Sequence, residues 1–296
     1  MKVVGLPLVV GVDGSESSMR AVDWAADEAV LRGVPLRLVY ASLWERYEGA
    51  ALAETLGRPS EQVLADDILD TAARRAHRRD SDLKVTTEVL PEDAVSALLH
   101  EGRNACALVL GSRGRSGVAE VLLGSVCLAV AAHADCPVFV LRGSHDNQAR
   151  TGMLHTIALG VGEEQQNSEA VRFAFQEAQR RGAALDAVRA WRCPAHESVD
   201  HPLLAGEPAR LHEERAVEIL ESALSEFAAE YPSVELRRRT AEGPARRVLL
   251  EASMRADLLV VGALRRRSHL GLQFGQVAHT ALHHSRCPVA VVPQWG

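Results

Sequence analysis

The sequence predicts a tandem α/β protein: two copies of one domain, each a parallel sheet covered by helices on both faces. Three observations predict it. The first is an internal repeat, in which Gly11 matches Gly160 and Val12 matches Val161 at a spacing of 149 residues. The same spacing pairs Arg32-Gly33 with Arg181-Gly182, Leu36 with Leu185, Val39 with Val188 and Ala41 with Ala190. Later, Gly111 pairs with Gly262, Gly124 with Gly275, His133 with His284 and Cys136-Pro137-Val138 with Cys287-Pro288-Val289 at a spacing of 151, so copy two gains two residues. The second observation is the alternation of short apolar runs with stretches of helical periodicity, the pattern of strand–helix–strand units. The third is length: 296 residues make two domains of ordinary size. The domains are placed at 1–145 and 153–296, joined through the polar stretch Gly143–Gly152.

Each element has a local reason. Leu8–Val12 is an apolar run bounded by Gly and Asp, read as a buried strand. Residues 17–32 follow helical spacing, with Met19, Val22, Ala26, Ala29 and Val30 expected on one side. Ser15 or Ser17 can cap this helix, and Gly33 suits a left-handed end. Leu36–Ala41 is the second strand, Ser60–Arg79 a helix and Lys84–Leu90 an alternating strand. Asp93–Gly102 is a short helix, Ala107–Gly111 a fourth strand, Ser125–Ala134 a helix and Val138–Leu141 the last strand. Copy two repeats the series, with a long helix near Pro208–Tyr231.

Composition narrows the function. Lys+Arg 33 against Asp+Glu 39 leaves a charge of −6, which offers nothing to nucleic acid or acidic membranes. Aromatic residues are 4 %, so base-stacking platforms are not expected and the core must be Val, Leu and Ala. Cys106, Cys127, Cys136, Cys193 and Cys287 are widely spaced and odd in number, which reads as buried thiols in a reducing compartment. The most apolar window, Val118–Ala132, contains Glu120 and a Gly124-Ser125 break and falls short of a membrane span. With no signal peptide legible at the N-terminus, the expected location is cytoplasmic.

Ligands of such sheets bind at the carboxyl ends of the strands. LVLGSRGRSGVAEVLLGSV (108–126) is therefore the informative segment. A strand ends at Gly111, Gly114 follows, and Gly124-Ser125 opens a helix. Glycines let backbone N–H groups approach a ligand, and a helix N-terminus offers free donors and partial positive charge. Arg113 can add charge-assisted bonds, and Asp13 ends the first strand beside the same crevice. A polyphosphate fits such a place. Tight turns and a simple Ser125 cap account for the same residues, and the spacing leaves both readings open.

The segment also matches G-x2-G-x9-G-[ST], the nucleotide motif of the universal stress protein family, at Gly111, Gly114, Gly124 and Ser125. The VGVDGSESS start, the CPV-hydrophobic ending and the duplication resemble that family, with tandem actinobacterial members, over nearly the whole chain. The resemblance implies Rossmann-like (adenine nucleotide alpha-hydrolase-like) domains with strand order 3-2-1-4-5. It implies that Val138–Leu141 and Val289–Val292 pair the copies as an intrachain pseudo-dimer. It also implies ATP, with Mg²⁺, in the motif-bearing copy. Val12 and Asp13 would lie at the adenosine, Ala41 at adenine, and Leu110, Gly111, Arg113 and Gly114 along ribose and phosphates. Gly124, Ser125 and Val126 would hold the phosphates. Cys127 stands where the family often has Ser or Thr, and Cys106 where Asp is common, whereas copy two keeps Asp257. The implied function is nucleotide-dependent regulation in stress or dormancy through a protein partner, with homodimerisation open and ATP hydrolysis at most weak. The rivals are a slow ATPase or phosphoryl or nucleotidyl transferase, a cyclic-nucleotide sensor, and a pure interaction protein.

Copy two departs from the motif. Arg265 replaces the middle glycine, Gln276 the final Ser, and Gly162 the first-strand Asp. This copy is expected to lack ATP in that pose. Arg265, Arg266 and Arg267 instead read as a solvated basic loop, or as a site for another anion or an acidic partner surface. Metal readings are weaker: Cys193, His196, Asp200 and His201 share one loop, and His279 and His283 lie one helical turn apart. P-loop, GxGxxG and GxSxG motifs are absent from the sequence, which argues against the corresponding enzymes.

Overall fold

In each half the apolar runs become parallel strands, and the amphipathic stretches between them become helices. The computed structural model describes residues 5–43, 61–112, 123–141, 154–162, 168–193, 207–265 and 275–295. The chain forms two compact units, Met1–Gln148 and Ala149–Gly296. Unit 1 runs β1 (Leu8–Gly11), α1 (Glu16–Arg32), β2 (Leu36–Ala41), α2 (Glu61–Arg79), β3 (Val85–Leu90), α3 (Ala94–Gly102), β4 (Ala107–Gly111), α4 (Ser125–His133) and β5 (Val138–Leu141). Unit 2 runs β6 (Thr156–Gly160), α5 (Ser168–Arg181), β7 (Ala184–Trp191), α6 (Glu207–Glu230), β8 (Leu236–Glu242), α7 (Ala245–Ser253), β9 (Leu258–Arg265), α8 (Gln276–His284) and β10 (Val289–Trp295).

The strands lie in the order β3-β2-β1-β4-β5 in unit 1 and β8-β7-β6-β9-β10 in unit 2. These pairings are parallel, with Leu8 opposite both Leu36 and Ala107 in unit 1, and Ile157 opposite both Leu185 and Leu258 in unit 2. In unit 1, α1 and α2 pack together, as do α3 and α4. Unit 2 repeats this with α5 beside α6 and α7 beside α8. A sheet sandwiched in this way buries both faces of its central strands, which explains why they read as continuous apolar runs. Leu8, Leu36, Leu38 and Leu108 are fully buried in unit 1, as are Ile157, Leu159, Leu185 and Leu258 in unit 2. Each contributes about 1.5–3 kcal/mol over its exposed state.

Helix α1 shows the local logic. Ser15 is its N-cap and accepts a hydrogen bond from the Ser18 N–H, while Gly33 ends it at φ 66°. Met19, Val22, Ala26 and Ala29 face the core as expected, but Val30 is 46 % exposed, one step past the buried stripe. In α4 the N-cap is Gly124, and Ser125 is the first helical residue. The expected Ser125 cap is thus corrected by one position.

The two units differ where β4 and β9 begin. Asp257 accepts hydrogen bonds from the Leu154 and Thr156 N–H groups, each at 3.2 Å. Unit 1 has Cys106 in place of Asp257 and Pro7 in place of Thr156. Proline has no N–H to satisfy, so the carboxylate loses its strongest reason to be there. The remaining strand bond persists in both units, Cys106 N–H to Pro7 O at 2.9 Å and Asp257 N–H to Thr156 O at 2.8 Å.

Asp257→Ala is expected to lower stability by about 1–3 kcal/mol in urea unfolding, because it strands the Thr156 N–H. Thr156→Pro added to Asp257→Cys should recover most of the loss. A double variant no more stable than Asp257→Cys would show that the two positions are independent.

Candidate functional site

The carboxyl ends of β1, β2 and β4 meet α3 and α4 around a cavity of about 200 Å³. Val12, Asp13, Ala41, Leu110, Gly111, Gly124, Ser125 and Val126 all line it. Arg113 and Gly114 lie outside the described residues. Sequence reasoning missed Ser18, Val39, Ala94 and Leu98, which also line the cavity. Ala94 and Leu98 stand one turn apart on α3. Their repeat partners Ala245 and Leu249 line the matching cavity of unit 2, a correspondence legible in the repeat.

Gly111 is fixed by packing. A Cβ there would lie 2.5 Å from Ser17 Oγ and 2.7 Å from the Ser17 backbone carbonyl carbon. Any side chain would drive β4 and α1 apart. Beyond it, the Ser112 N–H donates to Leu141 O at 2.7 Å, and Ser112 O accepts from the Gly124 N–H at 2.8 Å. This second bond brings the start of α4 back to the end of β4. Asp13 Oδ1 accepts from Ser15 N–H at 3.0 Å and from Ser15 Oγ–H at 2.6 Å, so the carboxylate is positioned at the rim by the turn into α1.

Among the described lining residues, Asp13 carries the one formal charge. Val39, Ala41, Leu98 and Leu110 give an apolar wall, while Gly124, Ser125 and Val126 bring the first turn of α4. Gly124 makes no side-chain cap bond, and helix termini leave N–H donors for an anion. Cys127 completes the lining, with burial pushing its thiol up to about 12. It is a neutral group at physiological pH and adds no negative charge beside those donors.

Unit 2 holds a matching cavity of about 290 Å³, lined by Gly160, Val161, Gly162, Val188, Ala190, Leu249 and Gly262 among others. Gly162 stands where unit 1 has Asp13, and Arg189 and Gln294 join the lining. Gln276 begins α8 where unit 1 has Ser125, while the Arg265 side chain lies outside the described ones.

The metal candidates gain no support. Residues 194–206, with His196, Asp200 and His201, lie outside the described residues. No cluster of three metal-binding side chains occurs among the described residues. The His279 and His283 ring centroids are 4.4 Å apart, a tilted pair on α8. Among the described residues no helix is long and apolar enough to cross a membrane.

Fold and cavity together define a class: tandem α/β domains whose crevice lies at the switch point of a 3-2-1-4-5 sheet. The family model described as "Universal stress protein family" matches residues 7–142 and 153–293. Universal stress protein Rv1996 of Mycobacterium tuberculosis (strain ATCC 25618 / H37Rv) is 32 % identical over 98 % of this chain and 96 % of its own. Universal stress protein Rv2005c of the same strain is 32 % identical, covering 97 % of each chain. A solved universal stress protein from Archaeoglobus fulgidus DSM 4304 shares the fold over 98 % of both chains, with TM-score 0.68 and 17 % identity. The chain belongs to the universal stress protein family.

Gly111→Ala should cost about 1–3 kcal/mol of stability, as overpacking does, and should weaken ligand uptake at the same crevice. Burial also pushes Cys136 and Cys287 up to about 12, from an ordinary thiol value of 9.0. The folded state then keeps protons that the unfolded state loses, so stability falls as pH rises from about 9 toward 12. A maleimide at about pH 8 should leave Cys127, Cys136 and Cys287 unmodified until urea unfolds the chain.

Proposed function

We propose that unit 1 binds ATP with Mg²⁺ and that the chain acts as a nucleotide-dependent regulator in stress or dormancy, through a protein partner that reads its ATP-bound state. The observation that carries this reading is the convergence of Val12, Asp13, Ala41, Leu110, Gly111, Gly124, Ser125 and Val126 on one crevice. The residues fit the ligand by chemistry. Adenine suits the apolar wall of Val39, Ala41 and Leu98. Asp13 suits a ribose hydroxyl or a phosphate-held Mg²⁺, which needs only one or two carboxylates beside the phosphate oxygens. The phosphates suit the first turn of α4, with Arg113 and Gly114 proposed along their path.

Unit 2 has no carboxylate at the Asp13 position, and Gln276 where Ser125 stands. These differences support a unit 2 without ATP in the same pose. The copies then divide the labour, one holding nucleotide and the other serving the assembly or its partner.

The test is nucleotide released on denaturing freshly purified protein, identified and counted per chain. The expected result is about one ATP per chain, with Ser125→Ala weakening binding by about 1 kcal/mol, as for one lost hydrogen bond. Leu98→Trp should abolish binding by filling the adenine wall. No nucleotide, and none taken up with Mg²⁺ present, would overturn the reading.

A further inference from the structure

Unit 2 keeps the apolar wall of the unit 1 cavity while two side chains cover its other side. From this we propose that the unit 2 cavity binds a free, uncharged purine base without sugar or phosphate; the site rests on the reading of the matching unit 1 wall as an adenine wall.

The wall recurs almost unchanged. Val188, Ala190 and Leu249 line the unit 2 cavity where Val39, Ala41 and Leu98 line that of unit 1. Val161 likewise stands in the place of Val12. A planar ring buried against such aliphatic side chains gains from the area removed from water. A volume of about 290 Å³ lies at the small end for ligand sites, which suits a bicyclic ring. Ala190 and Leu264 are half-buried, so this side of the cavity opens to water and the polar edge of a ring can stay hydrated.

The sugar and phosphate side differs. Gly162 leaves no carboxylate where Asp13 faces the proposed ribose or Mg²⁺. Arg189, on β7 where unit 1 has Tyr40, reaches that same corner and is only 9 % exposed. Its Nη1 donates to the carbonyl of Gly162 and, at 3.4 Å, to that of Val161. Gln294 stands where unit 1 has Gly143, and is 3 % exposed. It lies over Gly262, the counterpart of Gly111: a Cβ on Gly262 would meet Gln294 Cγ at 3.1 Å. A side chain in unit 2 therefore covers the path proposed for phosphates in unit 1. A nucleotide in the unit 1 pose would have to displace Gln294 and break the Arg189 bonds. A bare base needs neither.

The experiment uses the full chain with ¹⁵N-labelled glycine, titrated separately with adenine, with adenosine monophosphate and with ATP plus Mg²⁺. Gly160, Gly162 and Gly262 report unit 2, while Gly11, Gly111 and Gly124 report unit 1 in the same spectrum. Adenine should shift the unit 2 glycines with a Kd below about 1 mM, and adenosine monophosphate should bind there at least about tenfold more weakly. Ala190→Leu, which fills the wall, should remove the adenine shifts of unit 2 and leave those of unit 1. Arg189→Tyr with Gln294→Gly, the residues of unit 1, should remove most of the preference for adenine over its monophosphate. No adenine shift of the unit 2 glycines up to about 5 mM, equal binding of the monophosphate there, or adenine shifts that survive Ala190→Leu would each overturn the proposal. ATP shifts absent from unit 1 would overturn the nucleotide reading, while adenine at the unit 2 glycines decides this site separately.

Discussion

The crevice depends on one close approach: the end of β4 against the first turn of α1, where Gly111 meets Ser17 with no room for a Cβ. That contact draws α1 over the sheet, and the turn preceding α1 then sets Asp13 beside Ser15 at the rim. The next residue, Ser112, accepts from the Gly124 N–H and so returns the chain to begin α4 at the same place. Three segments distant in sequence thus share one opening because a single strand end is bare. Helix α3 supplies the facing wall through Ala94 and Leu98, since a short helix between β3 and β4 must cross back over the sheet.

Duplication separates residues that hold the fold from residues that face the cavity. Both copies keep a buried glutamate paired within one helix, Glu28 with Arg32 in α1 and Glu177 with Arg181 in α5. Removing one partner of such a pair strands a buried charge at a cost of about 3–5 kcal/mol, so the pair is difficult to lose piecemeal. Asp257 with Thr156 against Cys106 with Pro7 is the contrary case. There the donor and its acceptor differ together, and each unit is satisfied in its own way.

Much of this was legible in the sequence because its causes are local. Apolar runs bounded by Gly or Asp gave the central strands, and Gly33 after a helical stripe gave a left-handed end. The family motif drew attention to Gly124-Ser125 because turn glycines and helix starts are chemically specific. What stayed hidden depends on reach. Leu98 reads simply as the apolar face of an amphipathic helix, and only the sheet's crossover brings it to the cavity. Arg189 reads as one polar residue in a largely apolar strand, and nothing in that run says that its guanidinium bends to the carbonyls of Val161 and Gly162. The Ser125 cap missed by one position because Gly and Ser both suit an N-cap, and the spacing cannot choose between neighbours.

The pattern of change in copy two argues that the motif's residues had two separate tasks. Gly262 persists within β9, close under Gln294, and Gly275 at the N-cap of α8. The changed positions are Gly162, Arg265 and Gln276, whose unit 1 counterparts Asp13, Gly114 and Ser125 are the ones proposed to face the nucleotide. If all the motif positions served the fold alone, change at three of them should have disturbed the strand order or the helix starts. Instead β6, β9 and α8 keep the arrangement of β1, β4 and α4, and what differs is the cavity's charge and its cover. A residue that can change without moving its strand or helix is not held in place by the fold alone. That is a physical argument, independent of resemblance, which supports the proposal of a ligand in the unit 1 crevice.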